Sequence, residues 1–80
     1  MRVLVAEDES RVAEALARGL RREGLAVDVA LDGASALLKA RLVEYDVVVL
    51  DRDLPEVHGD EVCRALAGEQ VKLLMLTASV

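Results

Sequence analysis

Aromatic residues and cysteine are almost absent from this chain of 80 residues. It contains no Phe or Trp, and Tyr45 and Cys63 are the only residues of their kinds. A lone cysteine excludes a disulfide within the chain and a metal site built from cysteines. The core must therefore be built from Val, Leu and Ala, in a chain of a size that buries only about 60% of its unfolded surface. We expect one small domain over residues 1–80.

The chain also lacks an excess of basic residues and any long apolar run. It has 10 Lys and Arg against 15 Asp and Glu, giving a net charge of −5. Nucleic-acid backbones are bound by clustered Lys and Arg, so we expect no direct nucleic-acid binding by this segment. The apolar run before Glu7 is too short for a signal peptide, and no stretch approaches the roughly 20 apolar residues of a spanning helix. These absences predict a cytoplasmic protein with no membrane partner.

Three short apolar runs each end in side chains that carry oxygen. The runs and the residues that follow them are 3–6 with Glu7 and Asp8, 47–50 with Asp51, and 73–76 with Thr77. If the runs are neighbouring parallel strands, their carboxyl ends converge and these side chains share one crevice. Such a crevice suits Mg²⁺ and phosphate chemistry.

The spacing of apolar residues predicts a helix after the first run. Ser10 is a candidate N-cap, and Gly24 is a candidate C-terminal stop. Between them, Val12, Leu16 and Leu20 recur at four-residue spacing and predict the buried stripe.

A second strand and helix are expected next. Apolar residues alternate over 25–31, and the polar Asp28 within this run favours a position near the sheet edge. Asp32 and Gly33 begin the second helix, which runs to about Glu44. Its buried stripe is predicted to hold Ala36, Leu37 and Ala40, with Lys39 and Arg41 outside it.

Residues 47–50 show no alternation, which is typical of a parallel strand covered on both faces, so we expect this strand to be central. Pro55 cannot extend a central strand, and a third helix is expected between Gly59 and Gly68. A fourth strand follows over 71–76. The order βαβαβαβ predicts an α/β fold, with a doubly wound parallel sheet and right-handed crossovers.

Phosphoryl transfer to a protein carboxylate needs a nucleophilic Asp and a cation that offsets charge repulsion. Asp51 is the best candidate nucleophile because it ends the central strand. Glu7 and Asp8 are suited to holding Mg²⁺, which takes one or two protein carboxylates and keeps several waters. The sequence therefore predicts a magnesium-dependent phosphorylation site.

The strings VLVAEDE, VVVLDRDLPEVHG and KLLMLTAS resemble the receiver domain of two-component response regulators, and the match runs across the whole chain. The resemblance implies a flavodoxin-like sheet with strand order 2-1-3-4. It also implies a role for each matching residue: Asp51 as phospho-acceptor, Glu7 and Asp8 as the acidic metal pair, Asp53 as a metal ligand through its backbone carbonyl, and Thr77 as the hydroxyl that contacts and senses the phosphoryl group.

The resemblance further implies partners. A receiver accepts a phosphoryl group from a sensor histidine kinase and relays the signal to an output domain, and it is not an enzyme beyond its own phosphorylation and dephosphorylation. The string GLRREGLAVDVALDGASAL is most similar to receivers attached to winged-helix DNA-binding domains. The implied output is regulation of transcription.

The family's fold has a fifth strand that ends in a Lys, and further helices, none of which follows Val80. Lys39 and Lys72 are predicted on a helix and at the start of a strand, so neither can replace that Lys. We therefore expect a fragment of a longer regulator. Without a fifth strand, 71–76 would be an exposed, strongly apolar edge, which predicts self-association.

Two other functions fit parts of the sequence. Asp51 and Asp53 form a DxD that, with Thr77, resembles the first motifs of haloacid-dehalogenase-type phosphohydrolases, although Pro55 stands where those enzymes prefer Thr or Val. A receiver-like interaction module that is never phosphorylated is the third possibility. Taken singly, each acidic residue could also be an ordinary solvated carboxylate.

Overall fold

The computed structural model describes residues 1–51 and 72–76. Its elements, in chain order, are β1 (Arg2–Ala6), α1 (Ser10–Arg22), β2 (Ala26–Ala30), α2 (Gly33–Leu42), β3 (Val47–Asp51) and β4 (Lys72–Leu76). The predicted third helix lies outside the described residues. Neither α1 nor α2 is long and apolar enough to cross a membrane.

The four strands form one parallel sheet in the order β2-β1-β3-β4. This order confirms the prediction, and it places β2 at an edge and β1 and β3 inside the described sheet. In register, Ala6 lies beside both Ala30 and Leu50, and Asp51 lies beside Leu76. The carboxyl ends of all four strands therefore meet at one edge of the sheet.

Each face of the sheet carries its own hydrophobic core. Side chains alternate along β1, so Val3 and Val5 pack on the face covered by α1, while Leu4 and Ala6 pack on the face covered by α2. The buried residues on the α1 side are Val3, Val5, Ala13, Ala17, Val27 and Val49, and those on the α2 side are Leu4, Ala6, Ala30, Ala36, Tyr45, Val48 and Leu50. Burial on both faces explains why β1 and β3 are continuous apolar runs.

Helix α1 begins one residue earlier than predicted. Glu9, rather than Ser10, is the N-cap residue, and it has extended backbone and no side-chain capping hydrogen bond. The Ala13 N–H donates to the Glu9 carbonyl at 2.9 Å, so the first helical turn closes on Glu9. The prediction of Ser10 as N-cap is therefore wrong.

The buried stripe of α1 also differs from the prediction at one position. Val12 is 44% exposed, whereas Ala13 and Ala17 are fully buried. Leu16 and Leu20 pack beside these alanines against the sheet. The buried stripe therefore repeats at helical spacing through Ala13 and Ala17, and Val12 lies outside it.

Gly24 ends α1 as predicted. Its φ of 86° lies in the left-handed region that glycine adopts without strain. The Gly24 N–H donates to the Arg21 carbonyl at 3.0 Å, and the Leu25 N–H donates to the Leu20 carbonyl at 3.3 Å. These two bonds form a Schellman motif, which satisfies the last carbonyls of the helix.

Helix α2 ends at Leu42, two residues before the predicted end near Glu44, and its predicted stripe of Ala36, Leu37 and Ala40 packs against the sheet. The Asp32 side chain caps α2 by accepting a hydrogen bond from the Ser35 N–H at 2.7 Å. Tyr45, which is buried, donates from its hydroxyl to Asp28 Oδ2 at 2.7 Å. Burial, and then the hydrogen bond and charge of Asp28, raise the pKa of Tyr45 to about 12. The polar Asp28 in β2 is therefore explained by a specific partner as well as by its place on the edge strand.

Candidate metal centre

The acidic residues that follow β1 and end β3 are placed side by side by the register of the sheet. Ala6 pairs with Leu50, so the next residues, Glu7 and Asp51, lie at adjacent strand ends. The Glu7 N–H donates to the Ala30 carbonyl at 3.0 Å, which continues the β1–β2 ladder past the end of β1. The backbone positions of both acidic residues are thus fixed by the sheet.

Three carboxylates converge at this point. One oxygen atom from each of Glu7, Asp8 and Asp51 can be chosen so that all three lie within 4.8 Å of one another. Glu7 is 7% exposed and Asp51 is 6% exposed, whereas Asp8 is exposed to solvent. The cluster therefore has a buried side, formed by Glu7 and Asp51, and an open side at Asp8.

The electrostatics of the cluster are unfavourable without a cation. Burial raises the pKa of Glu7 to about 7, and the hydrogen bond to Asp51 and the negative charge of Asp51 add to this rise. The charge of Asp8 acts in the same direction, while the Glu9 N–H, which donates to Glu7 Oε1 at 3.3 Å, favours the ionised form and lowers the pKa. Near neutral pH, a proton on Glu7 thus relieves repulsion among the three carboxylates.

The donor set fits a hard divalent cation. All three donors are carboxylate oxygens, which Mg²⁺ and Ca²⁺ prefer. Opposite ligands of an octahedral Mg²⁺ are about 4.2 Å apart, and those of Ca²⁺ are about 4.6–5.2 Å apart. Oxygens that all lie within 4.8 Å of one another can occupy neighbouring positions around either ion. Because one side of the site is open to solvent, an ion bound there could also keep waters and accept an anionic ligand.

The structure brings together three of the predicted site residues. Glu7, Asp8 and Asp51 form the cluster, as the strand-end argument predicts. Asp53 and Thr77 lie outside the described residues, so their roles remain predictions. The Glu9 backbone N–H is a contributor that sequence reasoning missed, because any residue except proline could supply it.

Comparison with known proteins identifies the family. The family model for the response regulator receiver domain matches residues 3–80. The transcriptional regulatory protein CutR of Streptomyces coelicolor is 62% identical over 81 residues, covering 99% of this chain and 37% of that protein. The chain spans about a third of the length of the curated relatives it matches.

Solved structures agree with this assignment. The response regulator TrrA of Thermotoga maritima, in complex with Mg²⁺-BeF, has a TM-score of 0.90 and 36% identity, covering 98% of this chain and 70% of that one. A response regulator of Burkholderia pseudomallei with a phosphorylated aspartic acid, a calcium ion and citrate has a TM-score of 0.84 and 29% identity, covering 99% of this chain and 48% of that one. This chain belongs to the response regulator receiver domain family. Family membership favours the receiver interpretation over the phosphohydrolase alternative.

Proposed function

We propose that this chain is the phospho-accepting domain of a transcriptional response regulator. In this proposal, Asp51 accepts a phosphoryl group from a sensor histidine kinase in a reaction that depends on Mg²⁺. The observation that supports it most strongly is the convergence of Glu7, Asp8 and Asp51 oxygens within 4.8 Å at the carboxyl edge of the sheet. The longer protein would act in the cytoplasm, where a DNA-binding output domain reads the phosphorylated state.

Asp51 is the proposed nucleophile because of its position and its burial. It is the last residue of β3, where it pairs with Leu76 of β4, and the residue before it, Leu50, pairs with Ala6 of β1. With only 6% of the residue exposed, its carboxylate has few competing waters and a narrow direction of approach. A carboxylate oxygen of Asp51 would attack phosphorus as the bond from phosphorus to the donor's nitrogen breaks, giving an acyl phosphate.

Glu7 and Asp8 would hold the cation together with Asp51. When bound, Mg²⁺ supplies the positive charge that offsets repulsion between Asp51 and the phosphoryl oxygens. In the absence of a cation, Glu7 is about half protonated at pH 7, because burial and then the hydrogen bond and charge of Asp51 raise its pKa to about 7. Exposed Asp8 lies on the side from which an ion and a donor can enter.

Asp53 and Thr77 complete the proposal. We assign the Asp53 backbone carbonyl to the cation and the Thr77 hydroxyl to a phosphoryl oxygen, following the family motifs that both residues match. Thr77 follows Leu76 in the sequence, and Leu76 pairs in register with Asp51. The product is one phosphorylated aspartate for each chain, so the domain signals and does not turn over a small substrate.

Phosphorylation of the full-length protein tests the proposal. Incubation with a small-molecule phosphodonor and Mg²⁺ should add one phosphate, measured by intact mass, and Asp51→Asn should abolish the addition. Asp46→Asn is the matched control, because Asp46 is exposed and precedes β3 at the opposite edge of the sheet. An Asp51→Asn protein that still gains the phosphate would refute the assignment, and repeated turnover of a phosphate ester would favour the phosphohydrolase alternative.

A further inference from the structure

β2 is an edge strand whose two sides can be assigned from the hydrogen bonds at its ends. Among the described strands it has β1 as its only neighbour. The Ala26 N–H donates to the Met1 carbonyl at 3.2 Å, and the Ala30 carbonyl accepts from the Glu7 N–H at 3.0 Å. The backbone N–H and C=O groups of successive residues in a strand point to opposite sides. Because those of Ala26 and Ala30 point toward β1, those of Val27 and Val29 point away from the sheet.

Both outward carbonyls of β2 are occupied by cationic side chains. Arg21 Nη2 donates to the Val27 carbonyl at 2.8 Å, and Lys39 Nζ donates to the Val29 carbonyl. Arg21 belongs to α1 and Lys39 to α2, and these helices cover opposite faces of the sheet. The two side chains therefore reach the same edge from opposite sides, and each makes a charge-assisted hydrogen bond there.

We propose that Arg21 and Lys39 together block the edge of β2 against pairing with β2 of a second copy of this chain. A strand edge with free N–H and C=O groups is a template for another strand, and charged side chains at the edge oppose such pairing. An incoming strand would need the carbonyls of Val27 and Val29 as acceptors. It would first have to displace both cations from them.

A second copy is the partner that the edge fits once the cations are removed. Two β2 strands can pair antiparallel about a two-fold axis that passes through Val27 or through Val29, so the same residues serve both copies. Either register places Asp28 opposite an alanine, Ala26 or Ala30, and so avoids a contact between two Asp28 carboxylates. The five residues of β2 are a usual length for a paired strand.

The test uses the full-length protein that carries this chain. One variant combines Arg21→Met with Lys39→Met, which keeps the apolar stems and removes both donors. The matched control combines Arg22→Met with Arg41→Met, which removes the same charge from the same two helices at exposed positions. Sedimentation measures association, and amide hydrogen exchange measures protection of the outward N–H groups.

The Arg21→Met/Lys39→Met protein should self-associate with a dissociation constant about 100-fold lower than that of the parent, or about tenfold for each uncovered carbonyl. Association should slow exchange at the Val27 and Val29 amides, and the control should behave as the parent. Unchanged association would overturn the proposal, and so would association that leaves both amides unprotected. If the double variant does not fold, the two single variants decide the question, each with an expected tenfold effect.

Discussion

The two ends of the parallel sheet use carboxylates in opposite ways. At the amino end, Asp46 is doubly paired: its Oδ2 accepts from the Arg2 N–H at 2.8 Å, and its own N–H donates to the Arg2 carbonyl at 2.9 Å. At the carboxyl end, Glu7, Asp8 and Asp51 converge, and burial, the hydrogen bond to Asp51 and the charges of Asp51 and Asp8 all raise the pKa of Glu7. A carboxylate with a partner fixes the position of the backbone. In a cluster of carboxylates the negative charges repel one another, and this repulsion favours the binding of a cation.

The largest expected effect is the loss of cation binding when the carboxyl-end cluster is changed. Asp8→Asn should weaken Mg²⁺ binding to the full-length protein at least roughly tenfold, about 1.4 kcal/mol, because a charged ligand is removed from the site. Calorimetric titration measures the affinity. Asp46→Asn is the control at the other end and should bind Mg²⁺ as the parent does.

An Asp8→Asn protein with unchanged Mg²⁺ affinity would contradict the metal site. It would also favour a receiver-like module that works without phosphorylation. Titration with Ca²⁺ sharpens the comparison, because Mg²⁺ demands near-ideal octahedral geometry whereas Ca²⁺ accepts a wider range of ligand arrangements.

A pH-dependent loss of stability is expected from the same cluster. The pKa of Glu7 rises from 4.5 to about 7 on folding, so between these values the folded chain binds more protons than the unfolded chain. Stability without a divalent cation should therefore decrease as pH rises from about 4.5 to 7, by on the order of 2 kcal/mol. Denaturant unfolding at a series of pH values, with a chelator present, measures this decrease.

Two controls isolate Glu7 as the cause. Glu7→Gln has no carboxyl group to titrate at this position, so its stability should be nearly independent of pH over the same interval. Saturating Mg²⁺ should stabilise the parent more at pH 7 than at pH 5, because binding requires the ionised carboxylates. Equal pH dependence in the parent and in Glu7→Gln would show that the repulsion lies elsewhere.

The smallest expected effect is at the amino end. Asp46→Ala removes one acceptor and leaves the Arg2 N–H to solvent, since both residues are exposed. We expect a loss of about 0.5–1 kcal/mol in the free energy of unfolding, with no change in Mg²⁺ affinity. Thermal or urea unfolding measures the change in stability, and titration measures the Mg²⁺ affinity. A change in Mg²⁺ affinity would mean that the two ends of the sheet are coupled.

The sequence predicted the carboxyl-end cluster because one rule is enough to place it. Neighbouring parallel strands bring their carboxyl ends together, and β1 and β3 are neighbours, so the residues after β1 and at the end of β3 meet. The strand order was predicted by resemblance to a known family and is confirmed by the pairing of β1 with both β2 and β3. Position along the chain was sufficient for the first conclusion, whereas the second needed the resemblance to a family.

Details that depend on packing distance were not predictable in this way. Val12 is more hydrophobic than Ala13, yet Ala13 faces the sheet and Val12 does not, because the small side chain lets α1 lie close to β1. The bonds of Arg21 and Lys39 to β2 carbonyls were also missed. Long side chains can reach many backbone atoms, and their sequence positions do not say which one they bind.

The short segment from Glu7 to Glu9 is anchored at both of its ends. The Glu7 N–H is bound to the Ala30 carbonyl, and the Glu9 carbonyl accepts from the Ala13 N–H in the first turn of α1. Between these two hydrogen bonds the backbone has little conformational freedom. The sheet and the helix therefore set the spacing of the acidic side chains. The free-energy cost of binding a cation here would come mainly from dehydrating the ion and only slightly from ordering the loop. Ion selectivity should therefore respond to substitutions that shift α1 against the sheet, such as enlargement of Ala13, even though that residue touches no ion.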